Sequence, residues 1–188
     1  MTERQVVTEM LQTTDSRQGD TVLRTLRRTR QIREFTDEPV DDAAIQRILE
    51  VARWTGSGAN RQPWTFLIVR DPAERQRIAE FATHAGHVAK APVAIAIVMN
   101  GVAPQWDDYD EGRVAERILI AATALGLGGG IGLVNGHERA EVGALLDVRP
   151  PEYVRTMISL GHPTEAALRR HSGPGTGRRP LAELVRER

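Results

Sequence analysis

Apolar positions along the chain follow two spacings, one typical of helices and one typical of buried strands. Ile45, Ile48, Leu49 and Ala52 recur at intervals of three or four residues, as on one face of a helix. The run Pro92–Met99 is almost continuously apolar, which indicates a central strand covered on both faces. These patterns predict helices at about 20–29, 42–54, 74–83, 111–126 and 138–146, and strands at 65–69, 92–99, 131–134 and 154–160.

Prolines, glycines and short polar runs separate these elements. Asp37–Asp42 contains a turn and an N-cap, and Asp71-Pro72 begins a helix, because proline is tolerated in the first helical turn. We expect Gly101–Asp110 to be irregular and Gly126–Gly130 to end the core helix. The alternation of helices and strands favours one α+β domain over 19–188, preceded by an N-terminal arm at 1–18.

Composition limits the classes of partner. The chain of 188 residues carries 25 basic and 25 acidic side chains, so no overall charge draws it to nucleic acid or to an anionic membrane. The uncharged stretch Ile118–Val134 is shorter than the ~20 residues that span a bilayer, and glycines interrupt it. Cysteine is absent, which excludes disulfides and thiolate chemistry and makes a cytoplasmic location the default expectation.

Two segments carry chemistry that suits a phosphorylated aromatic ligand. Five arginines fall within ten residues: Arg24, Arg27, Arg28, Arg30 and Arg33. Their planar, permanently charged donors suit a phosphate or an electron-rich ring, although such a cluster is also typical of a solvated helix face. Ser57–Trp64 combines small residues, two side-chain amides and an indole, a suitable surface for a flat polar ring. A second cationic pair, Arg178-Arg179, offers a clamp from the other end of the chain.

Other motifs indicate no catalytic or metal-binding group. The glycines of 126–132 follow a predicted helix and fit no G-x-G-x-x-G register, so they do not indicate a dinucleotide fold. His84 and His87 lack a metalloprotease pattern, and partly exposed structural histidines are the favoured interpretation. The acidic residues of 107–111 lack the alternation of a calcium loop and are suited to cap the core helix. We therefore assign neither catalytic side chains nor metal ligands.

The ordered set of motifs resembles the FMN-dependent nitroreductase family. The matching segments are Thr29–Val40, Ile45–Trp54, Ser57–Trp64, Ala91–Val93, Ala124–Gly128, Leu160–Pro163 and Arg178–Leu184. The resemblance implies a nitroreductase-like α+β fold, in which helices flank a central, mostly antiparallel sheet. It also implies an obligate homodimer with two FMN sites at the interface, each lined by both chains, and a C-terminal tail that contributes to the dimer.

The resemblance also implies which residues bind FMN. They are Thr29, Arg30, Gln31, Arg33, Ser57, Gly58, Asn60, Gln62, Gly132, Leu133, Arg178 and Arg179. The arginine-rich segment would hold the phosphate, the ribityl chain and the pyrimidine edge of the flavin, with Thr29 standing where arginine is common. Arg33 would stabilise the anionic reduced flavin at its N1/O2 edge. Arg178, with Arg179 beside it, would complete the phosphate clamp.

The remaining implied contacts involve the flavin ring. The amides of Asn60 and Gln62 would lie near the isoalloxazine, and Ser57 and Gly58 belong to the loop that reaches it. A backbone N–H in the loop after the core helix, estimated at Gly132 or Leu133, would meet flavin N5.

By this resemblance the protein is an NAD(P)H-dependent FMN oxidoreductase with ping-pong kinetics. NADH or NADPH would pass hydride to flavin N5, and an oxidised acceptor such as a nitroaromatic or a quinone would then use the same pocket. One alternative keeps the fold but changes the chemistry to dehalogenation, flavin destruction or ring dehydrogenation. Another is a non-catalytic arginine-rich module that binds RNA or an acidic partner, which the zero net charge disfavours.

Overall fold

Six helices and a four-stranded sheet form the part of the chain that the structure, a computed structural model, describes, namely residues 16–170 and 177–187. The helices are α1 (Ser16–Arg28), α2 (Asp42–Arg53), α3 (Pro72–Phe81), α4 (Pro104–Ala124), α5 (Arg139–Leu145) and α6 (Glu165–Arg170). The strands are β1 (Trp64–Val69), β2 (Val93–Met99), β3 (Gly128–Leu133) and β4 (Tyr153–Gly161). Most of the predicted N-terminal arm and of the loop before Gly177 lies outside the described residues.

The sheet confirms the predicted architecture. Its strand order is β1-β2-β4-β3, and every neighbouring pair is antiparallel. All residues of β2 are buried, as the continuous apolar run predicted. One face packs on α2 and α4 through residues such as Ile48 and Ile118. The other face packs on α3 and α5 through Ile78 and Val142, so helices cover both sides of the sheet.

Local capping explains where two predicted helices begin. The side chains of Asp41 and Asp71 accept hydrogen bonds from the N–H groups of Ala43 and Ala73. Each carboxylate thereby satisfies a backbone donor that has no partner within its helix. Both starts were readable from the sequence, because cap and helix are adjacent in the chain.

Two predicted boundaries were wrong. The segment Gly101–Asp110 was expected to be irregular, but α4 already begins at Pro104, with proline in its first turn. Strand β3 begins at Gly128 rather than at Ile131, so three of the glycines that were expected to end the helix, 128–130, belong to the strand, whereas Gly126 follows the helix with a φ of 76° as expected. Close packing accounts for these glycines, since a Cβ at Gly129 would lie 2.6 Å from Leu119.

In the described part of the chain, no helix combines the length and the hydrophobicity needed to cross a membrane.

Candidate cofactor site

The segment that follows α1 runs along the free edge of β3. The N–H and the hydroxyl of Thr29 both donate to the carbonyl of Thr25, at 2.9 Å each, at the end of the helix. Gln31 then forms an isolated parallel bridge with Gly129, and the N–H of Ile32 donates to the Gly129 carbonyl at 2.8 Å. From Gln31 onward, the arginine-rich segment therefore lies against the outer side of β3 and pairs with it at Gly129.

Both side chains that flank Ile32 bind the backbone of Ile131. Gln31 Oε1 accepts a hydrogen bond from the Ile131 N–H at 2.6 Å, and Arg33 Nη2 donates to the Ile131 carbonyl at 3.2 Å. Arg33 nevertheless remains exposed. Glycine is needed at position 130, because a Cβ there would lie 2.6 Å from the Ile32 carbonyl and 2.8 Å from Arg33 Cγ.

His87 belongs to the same cluster, although its sequence context gave no signal for this position. Its Nδ1 lies 2.7 Å from Ser159 Oγ, and its Nε2 lies 3.3 Å from the Ile131 carbonyl oxygen. Burial, and then the positive charge of Arg33, lower the pKa of His87. The imidazole is therefore neutral at pH 7, and since a carbonyl only accepts, Nε2–H donates to Ile131 and Nδ1 is the unprotonated nitrogen that faces the serine.

A cavity of about 520 Å³ brings the two ends of the chain together. Its lining residues are Arg27, Thr29, Arg30, Gln31, Glu116, Leu119 and Arg178. We call it the arginine cavity. Arginines from α1, from the segment after it and from the C-terminal tail are among these residues, and guanidinium donors suit a phosphate dianion. Desolvation raises the pKa of Glu116, the one acidic residue of this lining.

Arg179 points to a different partner. Its Nε lies 3.3 Å from a carboxylate oxygen of Glu183, in an exposed ion pair within the tail. Of the two tail arginines, Arg178 lines the arginine cavity and Arg179 does not.

Four of the residues predicted to lie near the flavin ring belong to the loop Ser57–Gln62, which we call the amide loop. Ser57 Oγ accepts a hydrogen bond from the Gln62 N–H at 2.8 Å, which closes the loop. Ala59, Asn60 and Gln62 have φ angles of 50°, 54° and 47°, in the left-handed region that non-glycine residues rarely adopt. The side chains of Asn60 and Gln62 are exposed, and Gln62 Nε2 donates a hydrogen bond to the Asn60 carbonyl at 3.4 Å.

Gly132 and Leu133 are both part of β3. A Cβ at Gly132 would lie 2.7 Å from that of Ala85, and Leu133 forms an isolated bridge with His84. Because Ile131 directs its N–H and carbonyl outward, the alternation of an antiparallel strand turns the Gly132 amide toward β4. The side chain of Leu133 is 46% exposed.

The two groups of predicted residues lie at opposite edges of the sheet. The amide loop leads into β1, and Gln31 and Arg33 lie beside β3. Three inter-strand spacings of about 4.8 Å separate these edge strands by roughly 14 Å. Within one chain the structure brings together Thr29, Arg30, Gln31 and Arg178, but it does not bring the amide loop to them.

Among the described residues, no group of three or more histidine, aspartate or glutamate side chains is arranged to hold a metal ion.

Comparison with known proteins identifies the relatives of this chain. Residues 26–92 match the nitroreductase family. A protein of Archaeoglobus fulgidus named NADH dehydrogenase/NAD(P)H nitroreductase is 30% identical over 145 residues, covering 72% of this chain and 82% of that protein. An FMN reductase [NAD(P)H] of Bacillus subtilis is 28% identical over 173 residues, covering 79% of this chain and 68% of the relative.

A solved structure extends the similarity to the fold. The crystal structure of a nitroreductase from Desulfovibrio desulfuricans in complex with FMN matches with a TM-score of 0.73 and 32% identity. The match covers 89% of this chain and 96% of the other.

Proposed function

Because this chain belongs to the nitroreductase family, we propose that it is an NAD(P)H-dependent FMN oxidoreductase that reduces a nitroaromatic or quinone-like acceptor. The observation that carries this proposal is the arginine cavity, where Arg30 and Arg178 converge from opposite ends of the chain. The relatives named for NAD(P)H and FMN support the choice of cofactor and reductant.

The residues of the arginine cavity hold the phosphate. Arg30 and Arg178 supply charge-assisted donors, Thr29 lines the cavity with its hydroxyl bonded to the Thr25 carbonyl, and Gln31 lies at the boundary with the β3 edge. Arg33 carries a permanent positive charge beside this boundary and stabilises negative charge at the pyrimidine edge of the flavin. The bonds to Ile131 keep both side chains in fixed positions before a ligand arrives.

When bound, FMN supplies the carrier that accepts hydride from NAD(P)H at N5 and transfers it to the acceptor. This chain needs no acid or base of its own for that transfer. Its residues bind and orient the ligands, and the neutral His87 keeps the Ile131 carbonyl in place. NAD(P)H and the acceptor use one pocket in turn, which gives ping-pong kinetics.

The complete site requires a second copy of the chain. The amide loop and the arginine cavity lie near opposite edges of one sheet, which favours a site whose two halves come from different protomers. We infer a homodimer in which residues 19–188 form one domain and the C-terminal tail contributes to the partner. A cytoplasmic location, where NADH and NADPH are available, agrees with the lack of cysteine.

Absorbance spectroscopy tests this function directly. The purified protein should be yellow, or become so on reconstitution with FMN, and should bleach anaerobically on addition of NADH or NADPH. Acceptors are then added one at a time, and those that restore the oxidised spectrum are substrates. A protein that remains colourless with excess FMN would refute the proposed function.

A further inference from the structure

Arg61 lies between the two amide side chains of the amide loop but points in the opposite direction. Its guanidinium faces Asp107 and Asp110 in the first turns of α4, at 3.5 Å and 3.3 Å. The side chain of Arg61 is 26% exposed, whereas those of the two aspartates are 0% and 3% exposed. Buried carboxylates need an opposite charge, and Arg61 supplies one to both.

Arg61 and Asp110 also bind the backbone N–H and carbonyl groups of Gly58. Arg61 Nε donates to the Gly58 carbonyl at 3.2 Å, and the Gly58 N–H donates to Asp110 Oδ2 at 3.2 Å. Arg61 and Asp110 thus close a ring of hydrogen bonds around the start of the loop. The Ser57–Gln62 bond closes its end.

Backbone strain explains why such a clamp is needed. Ala59, Asn60 and Gln62 all occupy the left-handed region, which costs free energy for residues that have a Cβ. Strained conformations of this kind persist only where surrounding contacts fix them. In the amide loop those contacts come chiefly from Arg61, Asp110 and Ser57.

We propose that Arg61 is a positioning residue for the flavin site, which clamps the amide loop to α4 so that Asn60 and Gln62 present their side chains outward. This inference rests on the proposed function, because it takes the isoalloxazine ring as the group that these amides meet. Arg61 itself faces away from the ligand and acts through its neighbours.

The Arg61→Lys variant tests the clamp. Lysine keeps a positive charge for the two aspartates, but a single ammonium cannot also reproduce the fork that reaches Gly58. We expect the melting temperature to change little. In flavin-free protein, amide hydrogen exchange over 57–62 should become faster, and FMN should bind about tenfold more weakly.

Arg113→Lys is the matched control, because Arg113 also pairs with Asp110, at 3.6 Å, without bonding to the amide loop. It should leave loop exchange and FMN binding near the wild-type values. Equal effects of the two substitutions would overturn the proposal, since a change in the ion pairs of Asp110, rather than loss of the bond from residue 61 to Gly58, would then be the cause.

A double-mutant cycle with Gln62→Ala separates positioning from folding. If Arg61 acts through Gln62, the combined loss in FMN affinity is smaller than the sum of the single losses. Additive losses, or wild-type exchange over 57–62 in Arg61→Lys, would overturn the inference and leave the proposed function intact. A wild-type protein that binds no FMN would overturn both.

Discussion

At the residue scale, three side chains that are far from Ile131 in the sequence contact its backbone. Gln31 accepts from its N–H, and Arg33 and His87 face its carbonyl. An edge strand presents backbone groups that need partners, and here side chains supply them. The same contacts fix the direction of Arg33, so the charge beside the arginine cavity is set before any ligand binds.

Replacement of Arg33 by alanine should weaken FMN retention. Hydrogen bonds to charged groups contribute about 1.5–3 kcal/mol, so we expect a loss of roughly 10–100-fold in affinity, measured by flavin fluorescence. The midpoint potential of the bound flavin should also become more negative, because the anionic reduced form loses a positive neighbour. Arg47→Ala, an exposed arginine on α2, is the control. Wild-type affinity in Arg33→Ala would remove that residue from the site.

His87 should make the protein less stable at acidic pH. Its pKa in the folded state lies below the usual 6.5, so the unfolded chain binds the proton more readily. Its contribution to the free energy of unfolding is complete above about 6.5 and is lost as the pH falls through the depressed pKa of the folded state. In His87→Gln, which is uncharged throughout, the melting temperature should fall less between pH 7 and pH 5. Parallel curves for the two proteins would contradict this assignment.

The residues that the sequence singled out differ in kind from those that it missed. Thr29, Arg30 and Arg178 were expected in one clamp from a family resemblance, and they line one cavity. Their roles toward FMN stay predictions. His87 and Arg61 could not be recognised, because their partners lie 72 and 49 residues away in the chain. Only the folded sheet and α4 bring those partners within reach.

At the element scale, long-range ion pairs hold the first turns of α4. Asp107, Asp110 and Glu111 are buried, and arginines from the amide loop and from β4 face them. In the sequence, Gly101–Asp110 contains proline and aromatic residues but no apolar residues at helical spacing, so it was predicted to be irregular. Asp41 and Asp71, by contrast, cap helices next to them in the chain, and those starts were predicted correctly.

The substitution Gly130→Ala tests whether strand β3 needs glycine where it contacts residues 32 and 33. Gly130→Ala should destabilise the protein by about 1–3 kcal/mol, because the new methyl group would lie 2.6 Å from the Ile32 carbonyl. FMN affinity should fall as well, since residues 32 and 33 must move away from the edge. Chemical denaturation and flavin titration measure the two effects.

Gly112→Ala is the matched substitution within a helix. No atom lies within 4 Å of a Cβ built there, and the position is inside α4. It should stabilise the protein by about 0.5–1 kcal/mol and leave FMN binding unchanged. Equal stability changes in the two variants would show that packing at the β3 edge is not the cause.

At the scale of the whole molecule, exposed apolar side chains gather on the first helix and on the C-terminal tail. Val22, Leu23 and Leu26 of α1 are exposed, and so are Leu181, Leu184 and Val185 of the tail. Large apolar side chains at such positions are typical of an interface. Together with the separation of the two groups of residues predicted to bind FMN, they favour the homodimer that the family resemblance implies.

Sedimentation should therefore give twice the 20.8 kDa mass of one chain. The double substitution Leu181→Ser/Leu184→Ser should shift the equilibrium toward monomer and reduce flavin content in parallel, because each site needs both chains. Substitution of Leu168, an exposed leucine on α6, by serine is the control. A monomeric wild-type protein that retains FMN would refute the shared site.

The most direct test of the phosphate clamp compares FMN with riboflavin, which lacks only the phosphate. Titration calorimetry should give one FMN per chain and an affinity at least about 100-fold above that of riboflavin, as expected when several charge-assisted bonds are lost. In Arg178→Ala this preference should shrink by roughly tenfold or more, with riboflavin binding unchanged. Equal binding of the two flavins by the wild-type protein would contradict the convergence of arginines on a phosphate.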